Sequence, residues 1–211
     1  MGIAERKERE REQRRNEIID AAEFVFFSKG LANASMDEVA AKAELSKGTI
    51  YLYFKSKEEL LFAINLRSLK ILQEKFEVVT DPAKTTIDNI LAIGNSYVQF
   101  SREHKDSFKL LLYFEDDTQF KLDHELYEEL CSQGGDPICF LIKVLEQGIN
   151  DGSIRNDIKP AVLAHCLWSQ ITGILRLAKT MDFHVDLRDY TEDDLIDAHL
   201  KIVLNGILKD V

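Results

Sequence analysis

The chain has 211 residues, of which 45% are hydrophobic, enough for one sizeable core or for a small domain joined to a larger one. Only 10 glycines and 3 prolines are present, and this scarcity favours long helices over a sheet with frequent turns. No run approaches the roughly 18 to 20 uninterrupted apolar residues of a membrane span, and the charged N-terminus is unlike a secretion signal. We therefore expect an all-α, cytoplasmic protein.

The net charge of −10 argues against a nucleic-acid partner until its distribution is considered. Through Lys57 the chain has 11 basic and 10 acidic residues, so this part carries +1 and the remainder carries −11. This asymmetry allows the N-terminal part to meet phosphate while the acidic remainder resists non-specific association.

The three cysteines, Cys131, Cys139 and Cys166, are odd in number and show no C-x-x-C spacing. This usage fits a reducing compartment better than a disulfide framework. We expect all three to be buried as small hydrophobic side chains.

The first predicted helix begins with mixed charges and ends with an apolar stripe. Residues Arg6 to Arg15 form either a solvated helix end or an arm whose Arg14 and Arg15 approach a nucleic-acid backbone. Lys29-Gly30 supplies a basic last turn and a C-terminal glycine. The apolar stripe before it comprises Ile18, Ile19, Ala22, Val25 and Phe26.

Two short helices are predicted next. Ser35 can cap a helix over 36–43, and Glu38 three residues later completes a capping box. Ser46 can cap a second helix over 47–54. Two short helices separated by about three residues are typical of a helix-turn-helix, whose second helix can enter a major groove.

The rest of the chain is predicted to be helical, with breaks at Thr80-Asp81-Pro82, Gly134-Gly135 and Asp151-Gly152. The predicted helices span 58–79, 85–102, 107–114, 119–132, 138–150, 160–181 and 192–209. We expect a first domain over 1–57, which contains the two short helices, and a second, larger helical domain over 58–211.

The second short helix concentrates residues suited to DNA. Its lysines can neutralise phosphates, Thr49 and Tyr51 present polar atoms to base edges, and Gly48 lets the backbone approach a phosphate. Ile50 and Phe54 are expected to pack inward. The predicted DNA contacts are Arg14, Ser35, Ser46, Lys47, Gly48, Thr49, Tyr51, Tyr53, Lys55 and Lys57.

This helix also carries a family resemblance. The block runs Ser46-Lys47-Gly48-Thr49-Ile50-Tyr51-Leu52-Tyr53-Phe54-Lys55-Ser56-Lys57-Glu58-Glu59-Leu60, and it follows Ser35-Met36-Asp37-Glu38-Val39-Ala40-Ala41-Lys42-Ala43. Together they resemble the helix-turn-helix signature of the TetR family of bacterial regulators. The resemblance implies a repressor that binds a palindromic operator as a dimer and is released by a small-molecule effector. Glu44 departs from it, because the family usually has glycine there; either the turn is remodelled or Glu44 takes a strained left-handed conformation.

The resemblance also implies that the last two helices pair with a second subunit and that the helices before them enclose the effector. Packing within the chain's own core is the alternative for their apolar stripes, and the dimer is favoured because an inverted-repeat operator requires two paired reading helices. The predicted dimer contacts are Leu163, Leu167, Ile171, Ile174, Leu175, Ile196, Leu200, Val203, Leu204 and Ile207. The predicted effector contacts are Phe62, Leu66, Asn95, Tyr97, Gln99, Phe100, His104, Phe108, Leu112, Tyr113, His165, Trp168, Gln170, Thr172 and Arg176. Their composition indicates an apolar or aromatic effector, and the acidic remainder adds the hypothesis of a positive charge on it. No cofactor or metal is expected.

Two other functions remain open at this stage. An enzyme would require a catalytic constellation, yet the sequence has no H-E-x-x-H, phosphate-binding loop, G-x-S-x-G or dinucleotide fingerprint. It also lacks the Glu-x-x-His pattern of a helical-bundle metal site. A DNA-binding accessory protein without an effector is the second alternative, and the absence of a ligand cavity would favour it.

Overall fold

The computed structural model describes residues 2–116, 135–181 and 184–208, and within these ranges it contains helices and no strand. The predicted all-α fold is confirmed, and α2 to α9 have bounds within three residues of the predicted ones. The predicted helix over 119–132 lies outside the described residues. The helices are α1 Ile3–Lys29, α2 Met36–Lys42, α3 Lys47–Tyr53, α4 Lys57–Val79, α5 Thr86–Glu103, α6 Lys105–Asp116, α7 Pro137–Asp151, α8 Pro160–Ala178 and α9 Glu192–Ile207.

Packing divides the chain into two compact units, Met1–Ser68 and Leu69–Val211. The division falls inside α4, so one continuous helix contributes to both units. The functional boundary expected after residue 57 stays a prediction.

The first unit packs around the apolar end of α1. Every residue of the predicted stripe is buried, and Ile18 and Phe26 are completely so. Arg67 of α4 forms hydrogen bonds to α1, because its Nη1 donates to Asp20 Oδ1 at 2.5 Å and to Glu23 Oε2 at 3.3 Å. These contacts, together with the buried stripe, give the short helices α2 and α3 a fixed support.

The second unit has a core shared by α5, α7, α8 and α9. Tyr97 lies in this core, where its hydroxyl and Thr172 Oγ1 are 3.0 Å apart. Phe108 meets the Tyr97 ring edge-on, with 5.8 Å between ring centroids. At Gly148 of α7 the packing is so close that an added Cβ would lie 2.4 Å from Ile154 Cγ1.

Helix α8 is the one described helix that is long and apolar enough to cross a membrane, by length and composition. About 33% of it is buried in the structure. Core helices of globular proteins meet the same criterion, so this finding is weak evidence of a membrane span.

The cysteines differ from the expectation. Cys139 is half-buried and disulfide-bonded, and Cys166 is exposed. The prediction of buried free thiols is therefore wrong for both, because sequence spacing does not report distances in space. Cys131 lies outside the described residues.

Candidate nucleic-acid interface and effector cavity

Helix α2 begins with the predicted capping box. Ser35 Oγ accepts from the Glu38 amide at 3.4 Å, and Glu38 Oε2 accepts from the Ser35 amide at 3.0 Å. Glu38 also pairs with Lys29 at the end of α1. The hydrogen bond from Lys29, followed by that from the Ser35 amide, lowers the pKa of Glu38. The box thus both starts α2 and links it to α1.

The turn between α2 and α3 contains the only non-glycine residue with positive φ in the described part of the chain. Glu44 has φ 55°, in the left-handed region. The Glu44 amide donates to the Ala41 carbonyl at 3.3 Å, and the next amide, of Leu45, donates to the Ala40 carbonyl at 3.0 Å. Of the two outcomes predicted for Glu44, the structure takes the strained one.

Helix α3 is capped at its start and anchored on its inner side. The Thr49 amide donates to Ser46 Oγ at 3.1 Å, and the Thr49 hydroxyl lies 2.8 Å from the same oxygen. Ile50 is fully buried, and Phe54 is 1% exposed. These anchors fix which side of α3 faces outward.

The outward side of α3 combines cationic, small and aromatic side chains. Lys47, Gly48, Tyr51, Leu52 and Lys55 are all exposed. Lys55 Nζ donates to the Tyr51 carbonyl at 3.1 Å, which leaves the ammonium at the C-terminal end of the helix. Lys47 Nζ lies 2.6 Å from Asp37 Oδ1, and this hydrogen bond raises the pKa of Lys47. A phosphate that binds Lys47 therefore competes with Asp37.

The other predicted DNA contacts differ in accessibility. Arg14 is exposed on α1, where its guanidinium pairs with Glu17 at 2.7 Å. Tyr53 is half-buried. Lys57 is also half-buried, and its Nζ donates to the Ala34 carbonyl at 2.6 Å. Lys57 is thus placed to hold the loop before α2, and its predicted phosphate contact has the least structural support of the set.

Leu52 is an outward residue that sequence reasoning missed. Its side chain is 72% exposed, although it lies between the buried Ile50 and Phe54 in sequence. Helical spacing could have identified it, because Leu52 is four positions after Gly48 and three before Lys55. An exposed apolar side chain on a groove-facing helix can contact the methyl group of thymine.

The second unit contains a half-open cavity of about 50 Å³. Its wall is almost entirely apolar and comprises Phe76, Ile90, Ile93, Gly94, Tyr97, Leu141, Leu167, Trp168, Ile171, His199, Leu200 and Val203. The Trp168 indole donates to Glu115 Oε1 at 2.6 Å, so this polar group of the wall already has a partner. His199 is 8% exposed, and burial lowers its pKa.

Two of the predicted effector contacts, Tyr97 and Trp168, line this cavity. Others are buried or half-buried beside the core, namely Phe100, His104, Phe108, Leu112, Thr172 and Arg176. A third group is exposed and lies outside the cavity wall, namely Asn95, Gln99, Tyr113, His165 and Gln170. Phe62 and Leu66 are half-buried residues of the first unit. The sequence did not predict His199 and Gly94 as residues of the cavity wall. His199 lies on a helix that was assigned to dimerisation, and Gly94 has no side chain.

The predicted dimer contacts lie on the inner faces of α8 and α9. Leu163, Leu167, Ile171, Leu175, Ile196, Val203 and Ile207 are buried in the protomer, and Ile174, Leu200 and Leu204 are half-buried. The outer faces carry other residues, including Val162, which is 53% exposed, and Ile202, which is 71% exposed. The apolar stripes predicted as dimer contacts therefore pack inside one protomer, and the large apolar side chains that these helices expose, Val162 and Ile202, lie outside those stripes.

A capped and anchored helix-turn-helix with an exposed cationic second helix defines a DNA-binding regulator. Comparison with known proteins agrees. The family model "Bacterial regulatory proteins, tetR family" matches residues 18–64. The transcriptional repressor KstR2 of Rhodococcus jostii is 26% identical over 195 residues, which cover 92% of this chain and 91% of that protein. The uncharacterised regulator YhgD of Bacillus subtilis is 27% identical over 142 residues, which cover 67% of this chain and 72% of that protein.

A solved structure shares the fold. The complex of SmeT, a repressor of Stenotrophomonas maltophilia, with triclosan has 23% sequence identity and a TM-score of 0.62. The match covers 94% of this chain and 93% of that one. The chain belongs to the TetR family of bacterial transcriptional regulators. It is a ligand-responsive regulator of transcription rather than an enzyme.

Proposed function

We propose that this protein represses transcription by inserting α3 into the major groove of a palindromic operator, and that a small-molecule effector releases it. The observation that carries this proposal is the anchoring of α3 through Ile50 and Phe54, which leaves Lys47, Tyr51 and Lys55 exposed. Repression is supported by the similar KstR2 protein, which is named as a repressor. The protein would act in the cytoplasm, where its operator lies.

A homodimer is the assembly that such an operator requires. A palindrome presents two half-sites about 34 Å apart, so two copies of α3 must be held at that spacing. The outer faces of α8 and α9 suit this role, because Val162 and Ile202 are large apolar side chains exposed to solvent. Pairing of these faces would bury both side chains in a bundle of four helices.

The effector is proposed to be apolar or aromatic and to bind in the cavity of the second unit, whose wall is almost wholly apolar. Helix α4 offers a route for coupling, because it begins in the first unit and ends in the second with Phe76 in the cavity wall. A displacement of this helix would change the spacing of the two α3 helices. A 100-fold loss of operator affinity requires only about 2.7 kcal/mol of coupling.

The test begins with selection of a DNA site by the purified protein, followed by a screen for compounds that release it. Tyr51→Ala and Lys55→Ala should weaken operator binding about tenfold or more while effector affinity stays unchanged. Lys84→Ala serves as the matched control, since Lys84 is an exposed lysine outside the helix-turn-helix. Equal losses of operator and effector affinity would contradict this division of roles. Operator affinity unchanged by every compound would favour the accessory protein without an effector.

A further inference from the structure

The cavity of the second unit contains one polar side chain without a partner. His199 lies in its wall and is 8% exposed, and its ring makes no hydrogen bond to any residue in the described ranges. The other polar groups of the wall are already engaged. The Tyr97 hydroxyl lies 3.0 Å from Thr172 Oγ1, and the Trp168 indole donates to Glu115 at 2.6 Å. Because no described protein group engages it, the imidazole in the cavity wall is available to donate a hydrogen bond to a ligand atom or to accept one from it.

The residues of the cavity wall also indicate which net charge a ligand can carry. None of the residues that line the cavity is acidic or permanently cationic. A charged ligand would lose its hydration there without gaining an opposite charge. Burial lowers the pKa of His199, and the neutral imidazole that results offers one donor and one acceptor nitrogen.

We propose that the effector of this regulator is an uncharged, largely apolar molecule with a hydroxyl or carbonyl oxygen that hydrogen-bonds to His199. The proposal rests on the proposed function for the effector's regulatory role. It replaces the cationic effector suggested by the acidic composition. Net charge describes the whole chain, whereas the ligand meets only the cavity wall.

The size of the cavity indicates how a bound ligand would displace helix α9. Its volume of about 50 Å³ is below the roughly 150 Å³ of an engineered cavity that encloses benzene, so a ligand of that size can lie wholly inside only if the walls move apart. Helix α9 contributes His199 and Leu200 to the wall, while Ala198 and Ile202 of the same helix are exposed. Displacement of α9 by a ligand would therefore also move the face proposed for dimerisation.

Four probes of similar shape test the chemistry: toluene, benzyl alcohol, benzylammonium and benzoate. Binding to the full-length protein is measured by calorimetry or by ligand-observed NMR. We expect benzyl alcohol to bind about three- to tenfold more tightly than toluene, as one net hydrogen bond allows. The two charged probes should bind more weakly than either.

Three variants identify the residue responsible. His199→Phe should abolish the preference for benzyl alcohol over toluene, whereas His184→Phe, at an exposed histidine, should keep it. Gly94→Ala tests the location of the binding site independently, in case His199→Phe does not fold. Its added Cβ would lie 3.3 Å from Leu200 Cδ2, so it should crowd the cavity and weaken all four probes while circular dichroism stays unchanged.

Several results would overturn the inference. These are tighter binding of benzoate or benzylammonium, an unchanged preference in His199→Phe, or no binding of any probe to the wild-type protein. Operator binding without probes is measured on the same samples. If the protein binds its operator but none of the probes, the inference is refuted and the proposed function is not. If the wild-type protein binds no operator, the proposed function is refuted, and the probe measurements still test the binding chemistry of the cavity.

Discussion

The turn between α2 and α3 keeps its left-handed geometry although Glu44 stands where glycine is usual. The turn between α2 and α3 requires a left-handed residue, and Glu44 occupies that conformation with φ 55°. A side chain with a Cβ is disfavoured there by roughly 1 to 2 kcal/mol. The surrounding helices, anchored by Val39 and Ile50, offset this cost because both are fully buried.

Replacing Glu44 with glycine should relieve this strain. We expect Glu44→Gly to raise the free energy of unfolding by about 0.5 to 1 kcal/mol, since the relieved strain exceeds the added flexibility of glycine in the unfolded chain. Urea unfolding followed by circular dichroism measures the change. Glu44→Ala removes the charge but keeps the Cβ, so it should give no comparable gain. An equal gain from alanine would attribute the effect to charge instead.

At the residue scale, sequence patterns anticipated local hydrogen bonds better than side-chain exposure. The caps at Ser35 and Ser46 are both present, because capping depends on neighbours three residues away. Lys57 behaves differently, since its ammonium is held by a carbonyl 23 residues earlier in the chain. A partner that distant is decided by tertiary packing, which spacing within one helix does not encode.

Helices α8 and α9 illustrate the same limit at the scale of elements. Their apolar stripes were predicted to be dimer contacts, yet most of these residues pack in the core of the same protomer. Helical periodicity tells which side is apolar and says nothing about what it packs against. For the same reason the cavity was only partly anticipated: Tyr97 and Trp168 were foreseen, and His199 was not.

The burial of His199 on α9 should make stability depend on pH. Burial lowers the pKa of His199 below the usual range of a histidine, so near pH 6 the folded state binds fewer protons than the unfolded state. The free energy of unfolding should therefore fall as the pH drops below about 6.5. Urea unfolding between pH 7.5 and 5.5, followed by the fluorescence of the single tryptophan, measures this dependence.

The contribution of His199 is isolated by substitution. His199→Phe should show a flatter dependence over this range than the wild type, and His184→Phe should match the wild type. The carboxylates whose pKa values are lowered, such as Asp151 and Asp194, titrate below this range and do not interfere. A parallel dependence in the wild type and His199→Phe would show that another group is responsible.

At the scale of the whole molecule, a near-neutral N-terminal part that contains the helix-turn-helix is joined to an acidic remainder. The 11 basic residues through Lys57 oppose 10 acidic ones, while the rest of the chain carries −11. Such a distribution limits phosphate contact to the N-terminal part, which contains α3. The outer face of α8 and α9 is the surface proposed to join two copies.

Introducing a charge on this face should separate the dimer. We expect Ile202→Glu to sediment as a monomer and to bind the operator at least tenfold more weakly, because two copies of α3 are no longer held at the half-site spacing. Val78→Glu is the matched control, since Val78 is 85% exposed on α4 and should leave the dimer intact. A dimer that persists in both Ile202→Glu and Val162→Glu would place the interface elsewhere.

Contact between α3 and DNA is tested most directly by photocrosslinking. The benzophenone amino acid p-benzoylphenylalanine is placed at position 52 or, as a control, at position 78, and each protein is irradiated with its selected operator. Both positions carry exposed apolar side chains, with Leu52 72% and Val78 85% exposed. We expect a covalent protein–DNA product from position 52 and none from position 78. Failure of position 52 to crosslink to an operator that the protein demonstrably binds would contradict the insertion of α3 into the groove.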